Sequence, residues 1–524
     1  MVTFNKIRTT KIIILSLFLI LLKENISLNA QWPEQKQHIV FSNVQLSNIL
    51  DSISSVCKVY LSYNSDLPAI HKVKSINCKC TLYEALSQLL EGENIQFSIS
   101  GNHIILTSIE AEVTELPIPK PIERYITLKG KIIDKNSSKP LSFTSIAIAG
   151  SSIGTVANNN GEFTLKIPPE FRAQSVIFSF LGYEQLTFLV DSLTKAEKII
   201  SLSEKNIKIS PVLIKYVVGE YVVEQAMKLV AKNYPVINSM YTGFYREAIK
   251  QENDYVSVCE AIIDIAKSPY NSSFSKDQAH ISKGRKIQNL KIAKKLKFKL
   301  EGGIYNCLQL DIVKNVSSFL SPEYFKMYEY KYIKTIPYSN NHSLYVIEFK
   351  QKEAVTDYAL YNGILYIDQE NKAIVAAKFS LSPIGMKYAR SMLVKKEPRK
   401  YSIKPVNTEY LVFYKNVNGH YYLDYIRAEL KIKARNDKMF FNSLYTSVSE
   451  MAITNIDTTN TYRFKRIETA KVDDILIDTQ TNYDESFWGS YNTITPEATM
   501  TEALKKLNLN QNQGEEKSFW DKLF

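Results

Sequence analysis

The residues best placed by type and spacing to do chemistry lie between Gly150 and Leu165. The segment GSSIG, Gly150 to Gly154, satisfies G-x-S-x-G, the pattern in which a serine on a strand-to-helix turn becomes a nucleophile. Directly after it, GTVANNNGEFTL, Gly154 to Leu165, sets three asparagines and a glycine between two runs of apolar and β-branched residues. A loop of that composition can cradle a phosphate, hold a metal, or only turn the chain. A phosphate cradle needs a lysine, a Ser/Thr at Walker spacing and a following helix, and the loop lacks them. A calcium loop needs a ladder of carboxylates, also missing. Asparagines such as Asn158 and Asn160 tolerate φ > 0, and Gly161 reaches it with no Cβ penalty, so the segment is expected to be the structural tip of a hairpin. Ser152 falls under the same expectation. A strand precedes it, but another turn and strand follow, whereas a nucleophile elbow needs a helix.

Other candidate sets are weaker. The six histidines, His38, His71, His103, His280, His342 and His420, are scattered, and none stands in H-x-x-E, H-x-H or H-E-x-x-H. A zinc enzyme would need such spacings. Cys78 and Cys80 form C-x-C with no second thiolate pair at zinc distance. The five cysteines, which also include Cys57, Cys259 and Cys307, leave at least one thiol without an internal partner. They read as small buried hydrophobes with one local bridge to Cys57. The stretch ISKGRKIQNLKIAKKLKFK, Ile281 to Lys299, holds basic residues and no acid, and carries part of the net charge of +12. No nucleic-acid-reading module accompanies it, so a solvated strand or helix face is expected, with an acidic glycan or anionic lipid headgroups as the alternative. No residue is assigned a catalytic, cofactor-binding or metal role. No cofactor is expected, and the chain is expected not to be an enzyme.

The elements that must position these residues follow from length and periodicity. At 524 residues the chain has room for about three domains of ~150 residues. Lys6, Arg8 and Lys11 precede the short apolar run IIILSLFLILL, Ile12 to Leu22, and Ala30 follows at a cleavage distance. This is the pattern of a signal peptide over 1–30 and implies export. No later run approaches the ~18 apolar residues of a spanning helix. In 37–108, HIVF reads as a strand, and Leu46, Ile49, Leu50 and Ile53 recur at helical spacing. VYLSY returns as a strand. TLYE, Thr81 to Glu84, is a capping box ahead of Leu82, Ala85, Leu86, Leu89 and Leu90. IQFSI and HIIL are joined through Ser100, Gly101 and Asn102 as a hairpin. The expected unit is one small sheet covered by two helices. Prolines 117, 119 and 121 alternate in a linker over 109–125. Residues 126–203 show short strands at ~8–12-residue spacing, the rhythm of a β-sandwich.

Two resemblances join these readings. Through FSNVQLSNILDSIS, VYLSYNSD and CTLYEALSQLLEGENIQFSISGNHIIL, residues 37–108 resemble the short N-terminal (STN) domain of secretins and TonB-dependent transducers. This chain carries Cys80 where that family usually has a glycine or polar residue. Through KGKIIDKNSSKPLSFTSIAIAGSSIGTVANNNGEFTLKIP and FSFLGYE, residues 126–203 are similar to the carboxypeptidase regulatory-like domain, although Asn158 or Asn160 stands where that family often has Asp. Together they resemble an exported protein of the Bacteroidetes type. The resemblance implies a periplasmic interaction module followed by a sandwich without its enzyme, in the periplasm or associated with the outer membrane.

Residues 213–480 read as a large β-rich domain of unknown function. An amphipathic helix over 222–230 is followed by strands at 255–265, 345–349, 363–368, 373–381, 410–414 and 421–434. YNGILYIDQENKAIVAAKFSLS resembles the curved sheets of lipoprotein-carrier-like proteins. If one face held lipid, Ile364 and Tyr366 would share it with Val375, Ala377 and Phe379. A packed core would give the same alternation and is favoured. The region is too short and too charged for an outer-membrane barrel of roughly 22 strands. The tail, 481–524, holds a short helix with Pro496 at its first position and Met500, Leu504 and Leu507 on its apolar side. The expected fold class is therefore α+β and all-β multidomain: a small α/β module, a β-sandwich, then a large β-rich domain with a few helices. The expected function is a non-enzymatic cell-envelope protein, an interaction or ligand-binding component associated with the outer membrane or TonB-linked uptake. Its partners would be a periplasmic or outer-membrane protein or a lipid or glycan, and not nucleic acid. The alternatives are a lipid or glycan carrier through the sheet of 213–480, and a hydrolase with its site in the same region.

Overall fold

The computed structural model describes residues 36–57, 59–62, 68–93, 95–100, 103–108, 125–193, 198–205, 217–272, 274–289, 299–300, 302–338, 342–396, 401–436, 442–470 and 486–507. The signal-peptide stretch, most of the proline linker and residues 290–298 of the basic run lie outside them. The chain forms two compact units, Met1–Lys120 and Pro121–Phe524.

The first unit runs β1 (Gln37–Gln45), α1 (Leu46–Cys57), β2 (Tyr60–Ser62), β3 (Val73–Cys80), α2 (Leu82–Leu90), β4 (Ile95–Ser100) and β5 (His103–Ser108). The apolar stripe of α1 is buried at Leu46, Ile49, Leu50 and Ile53. At the start of α2 the Thr81 Oγ1 accepts the Glu84 N–H at 3.3 Å, and the Glu84 carboxylate accepts the Thr81 N–H at 2.8 Å. This capping box satisfies two donors that a helix start leaves open. The strands do not form the single sheet expected. β1 pairs antiparallel with β3, while β2 lies parallel to β5, which pairs with β4. Both helices and both sheets share one core, so strand partners are chosen by packing across the unit, which local periodicity does not report. The cysteine expectation is also corrected: Cys78 is bridged to Cys80, and Cys57 is a free, half-buried thiol. Residues i and i+2 of a strand face the same way, which puts the two sulfurs side by side.

The second unit begins with a sandwich of β6 (Ile126–Asp134), β7 (Ser145–Ile148), β8 (Gly154–Val156), β9 (Glu162–Ile167), β10 (Ser175–Ser179), β11 (Leu186–Leu189) and β12 (Lys198–Leu202). One sheet has the order β11-β10-β7-β8 and the other β12-β6-β9. Alternate residues such as Leu128, Ile132, Ile146, Phe163, Leu165 and Phe178 fill the space between them. The hairpin expected at Gly154–Leu165 is absent, because β8 and β9 belong to opposite sheets. The asparagine run is instead an arch that carries the chain across the core. Asn158 holds it: its Oδ1 accepts the N–H groups of Asn160 and Glu162, both at 2.9 Å, and its Nδ2 donates to Glu162 at 2.8 Å. Gly161 sits at φ +76°, and a Cβ there would lie 2.3 Å from the Ile132 carbonyl oxygen, so only glycine fits.

The remainder is built on a ten-stranded sheet. Its strands are β13 (Ser239–Gln251), β14 (Asp254–Lys267), β15 (Gln278–Gln288), β17 (Tyr328–Pro337), β18 (Ser343–Gln351), β19 (Tyr361–Asp368), β20 (Ile374–Leu381), β22 (Tyr401–Val417), β23 (His420–Asn436) and β24 (Ser443–Asp457). The short β16 (Lys299–Leu300) and β21 (Val394–Lys396) pair separately. The order is β15-β14-β13-β24-β23-β22-β20-β19-β18-β17, and among the described residues the two edges do not meet. Four of these strands, β13, β15, β17 and β24, escape a reading by hydrophobic runs because they are rich in Lys, Arg, Glu and Ser.

The inner face of the sheet is covered by α3 (Gly219–Lys228), α4 (Ile304–Gln309) and the turns over 318–327. Tyr241, Tyr245, Ile263, Leu365, Phe379 and Met451 lie in that core. The shared face expected for Ile364 and Tyr366 with Ala377 and Phe379 is corrected by register. Leu365 pairs with Ala377 and Gly363 with Phe379, so Ile364 and Tyr366 point to the outer face. A helix over 498–507, α5, packs Met500, Leu504 and Leu507 against Ala248, Val258 and Ile287. The Glu497 carbonyl accepts the Thr501 N–H, so Pro496 precedes the helix instead of occupying its first position. The chain is thus multidomain and β-rich with few helices.

Candidate functional site

Ser152 is a clasp between the sandwich and the large sheet. Its Oγ donates toward Asn455 Oδ1 at 2.7 Å, with the Ile456 carbonyl at 2.9 Å, and accepts the Ile456 N–H at 3.0 Å. A strand, β8, follows two residues later, so the G-x-S-x-G serine has no helix behind it, and its hydroxyl is held by Asn455 and Ile456. Lys415 reinforces the clasp through the Ser152 carbonyl at 3.3 Å and Asp424 at 3.0 Å, and Asp424 takes the Ser145 hydroxyl at 3.0 Å.

The histidines remain dispersed. His38 lies 3.3 Å from Asn77 and His71 3.1 Å from Gln45. His103 and His420 lie at the ends of hairpin strands, and His280 stacks on Phe464. His342 places Nδ1 2.8 Å from Asp368 and Nε2 3.3 Å from Glu370. The Asp368 hydrogen bond raises its pKa against the opposing effect of burial. With both ring nitrogens held by carboxylates, it pins the β19–β20 turn and has no free nitrogen aimed at a hydroxyl. Among the described residues no three His, Cys, Asp or Glu side chains come together as a metal set.

The described part of the basic stretch is not simply a solvated face. Arg285 is buried and belongs to a ladder of alternating charge that crosses the outer face from strand to strand. Glu260 of β14 takes Arg285 of β15 at 2.7 Å and Arg246 of β13 at 2.7 Å; Arg246 reaches Glu450 of β24 at 3.0 Å. Arg427 of β23 continues the row, with Glu429 at 2.8 Å. The cross-strand pairs are direct register partners, Arg246 with Glu260 and Glu450 and Glu260 with Arg285, which is why the charges meet. Burial pushes the Glu260 carboxyl up, but Arg246 and Arg285 outweigh it and hold it below the usual range. The segment 486–494 seals this half: Arg246 donates to the Ile494 carbonyl at 2.7 Å, and Arg285 lies over the Trp488 ring.

A second buried polar cluster stands at the inner face. Lys267 donates to Asp277 and Asp311, both at 2.6 Å, and Asp311 also accepts Tyr270 and Tyr414, both at 2.8 Å. Burial lowers the Lys267 pKa and the two carboxylates raise it further, so the net shift is upward and the ammonium is kept charged. Every strong partner in the cluster is internal, which makes it a strut that ties β14 and β22 to the segment after α4.

Space for a ligand is found on the other half of the outer face. Two adjoining cavities, of 270 and 1210 Å³, lie between the sandwich and β17–β20 and β22, and share Phe180, Leu181 and Phe413. The sheet supplies the floor of the larger one through Ile336, Val346, Ile364, Tyr366, Leu411 and Phe413. The opposite wall is the turn Phe180–Tyr183 between β10 and β11, with Glu204 and Lys205 after β12. Tyr183 donates to Glu204 at 3.4 Å, and burial with the nearby Asp134 and Glu204 charges pushes its pKa up to about 12, so it is a neutral donor. The charged lining residues are Lys205, Lys334, Lys378, Glu204 and Glu348. The sequence signal for this site was the run of apolar residues on both faces of β18–β20. Strands buried on both sides must be covered on both sides, and one packed core accounts for only one of them.

Comparison with known proteins fits the middle of the chain. Residues 128–214 match the CarboxypepD_reg-like domain, so the sandwich is a domain of that kind. A search of curated proteins found no match. Among solved structures, the chain is similar to an outer membrane lipoprotein-sorting protein domain from Vibrio parahaemolyticus, at 11% identity and TM-score 0.22, covering 47% of this chain and 95% of that one. It is also similar to a LolA superfamily protein from Nitrosomonas europaea, at 13% identity and TM-score 0.17, covering 49% and 98%. A third likeness is to the ferripyoverdine receptor of the outer membrane of Pseudomonas aeruginosa, at 10% identity and TM-score 0.15, covering 78% and 58%. With scores this low, none of them bears on what this chain binds. No helix among the described residues is long and apolar enough to cross a membrane.

Proposed function

We propose that the protein is an exported, non-enzymatic binding component of the Gram-negative cell envelope, and that its ligand enters the cleft between the sandwich and the large sheet. The observation that carries the reading is the 1210 Å³ cavity with an apolar floor, at the seam of two packed domains. Ligand sites concentrate at such seams, with apolar linings and a few polar groups. The N-terminal unit, which resembles the STN domain, would dock a periplasmic or outer-membrane protein. The signal-peptide pattern supports export to the periplasm or the outer membrane. The carrier alternative is confined to the outer face, because the inner face is filled by Leu365, Ala377 and Phe379, all at most 3% exposed. The hydrolase alternative would need a free nucleophile beside a base; the Ser152 hydroxyl is held by Asn455 and Ile456, and both His342 nitrogens face carboxylates.

Native mass spectrometry of the purified mature chain tests the reading. The expected result is a bound small molecule in the wild type that is lost in Ile364→Trp, where the added ring fills the cleft floor, with the melting temperature unchanged. A ligand-free wild type that also fails to take up any added apolar probe would sink it. Retention of Met1 in the native protein would remove the export part.

A further inference from the structure

The charges around the cleft are unbalanced. Glu204 accepts the Tyr183 hydroxyl, and Glu348 pairs with Lys350 at 2.9 Å. Lys378 pairs with Glu409 at 3.4 Å. Lys205 and Lys334 line the same cavity and have no acid partner among the described residues, and the Tyr366 hydroxyl on the floor has no hydrogen-bond partner there either. Glu348 and Lys378 are therefore neutralised and Glu204 is bonded to a neutral hydroxyl, while two cations and one neutral donor are open to a ligand, so the lining keeps an excess of positive charge. The floor between them is apolar. The volume exceeds the ~300–1,000 Å³ usual for small-molecule sites, which suits a long molecule better than a compact one.

We infer that the cleft takes a lipid-like amphiphile with an anionic headgroup, its chain along Ile336, Val346, Ile364, Leu411 and Phe413 and its headgroup at Lys205 and Lys334. This rests on the reading of the cleft as a binding site. Charge complementarity selects the headgroup sign, because the two unpaired lysines outnumber Glu204, the one lining carboxylate without a cationic partner among the described residues. A glycan is disfavoured by the same lining: sugar hydroxyls need many convergent polar groups, and the floor is apolar.

The test is competition for a fluorescent fatty-acid probe by palmitate and by 1-hexadecanol, which share a chain length and differ in head charge. The full mature chain is used as wild type, as the double variant Lys205→Glu with Lys334→Glu, and as Ile364→Trp. The wild type is expected to prefer palmitate. The double variant is expected to lose about tenfold or more in palmitate affinity, with hexadecanol changed by less than about twofold. Ile364→Trp is expected to weaken both competitors. Equal affinity of the wild type for the two, or a double variant with undiminished palmitate binding, overturns the headgroup assignment while leaving an apolar cleft. If neither competitor binds but Ile364→Trp still sheds a co-purifying molecule, the amphiphile is wrong and the cleft reading stands. If neither binds and that variant changes nothing, both are overturned.

Discussion

The two halves of the outer face of the large sheet treat charge in opposite ways. On β15, β14, β13, β24 and β23, arginines and glutamates alternate in register, and the row is sealed by 486–494 and by the sandwich. Side chains of Arg246 and Glu260 are 5% and 1% exposed. On β17–β20 and β22 the outer face is apolar, the sandwich stands off from it, and Lys205 and Lys334 lack a matching acid among the described residues. One half spends its buried Arg and Glu side chains on one another, while the other leaves space and unmatched cations. Buried ionic rows are weak evidence of net stability but they favour one register, since a slip of one residue would turn one partner of each pair to the opposite face and leave the other buried alone. The ladder is therefore read as the device that seats the sandwich and tail on the sheet, and the cleft as what that seating leaves open.

Breaking the closed half should have the largest effect. Glu260→Ala leaves Arg246 and Arg285 buried without their shared carboxylate and is expected to cost about 3–5 kcal/mol, read by urea denaturation. A cost below about 1 kcal/mol would show that the ladder is solvated and the comparison false. The pH dependence sharpens the point. The folded-state pKa of Glu260 lies below its unfolded value, so its contribution is present above the ordinary carboxylate range near ~4.3 and fades as pH falls through the folded value. The stability gap between wild type and Glu260→Gln should accordingly narrow as the solution is acidified below about pH 4.

The clasp between the sandwich and the sheet is next. Ser152→Ala removes one hydroxyl that bonds Asn455 and Ile456, and about 1 kcal/mol of stability should go with it. It should leave any detectable hydrolase activity unchanged; loss of such an activity in a folded variant would restore the nucleophile reading. His342 should have a smaller, pH-dependent effect. Its pKa is raised in the folded state, so its pairing with Asp368 stabilises fully below the ordinary histidine value near ~6.5 and is lost as pH rises through the higher folded value. A His342→Gln variant should therefore melt earlier than wild type at pH 5 and more nearly with it at pH 9. The smallest change belongs to the open half: Lys334→Ala should alter stability by no more than about 0.5 kcal/mol. A larger loss would mean that this lysine is structural and not kept for a ligand.

Much of the local structure was legible. The capping box at Thr81 and Glu84, the stripe of α1 and the sandwich rhythm of 126–203 all express rules that act within a few residues. The arch shows where such rules stop. Asn158 and Gly161 announce a turn, but whether the strands beside it pair with each other or with two different sheets depends on β6 and β7, which local sequence does not contain. The charges show the same limit. Arg246, Glu260, Arg285 and Glu450 read separately as ordinary surface residues, because only strand order brings them into one row.

By itself the amino-acid sequence determined the elements: where helices begin, where strands alternate, which turns require glycine or asparagine, and that no histidine or cysteine set has metal spacing. These follow from backbone sterics and from hydrogen bonds between near neighbours. Tertiary structure alone decided the partners. It placed β8 and β9 in opposite sheets, turned Ile364 and Tyr366 outward, made Ser152 a clasp, and left the cleft between the sandwich and the sheet. The reason is that strand pairing, register and buried charge pairing join residues more than two hundred positions apart, as Arg246 and Glu450 are, and the energy of each such pair exists only once the chain has brought it together.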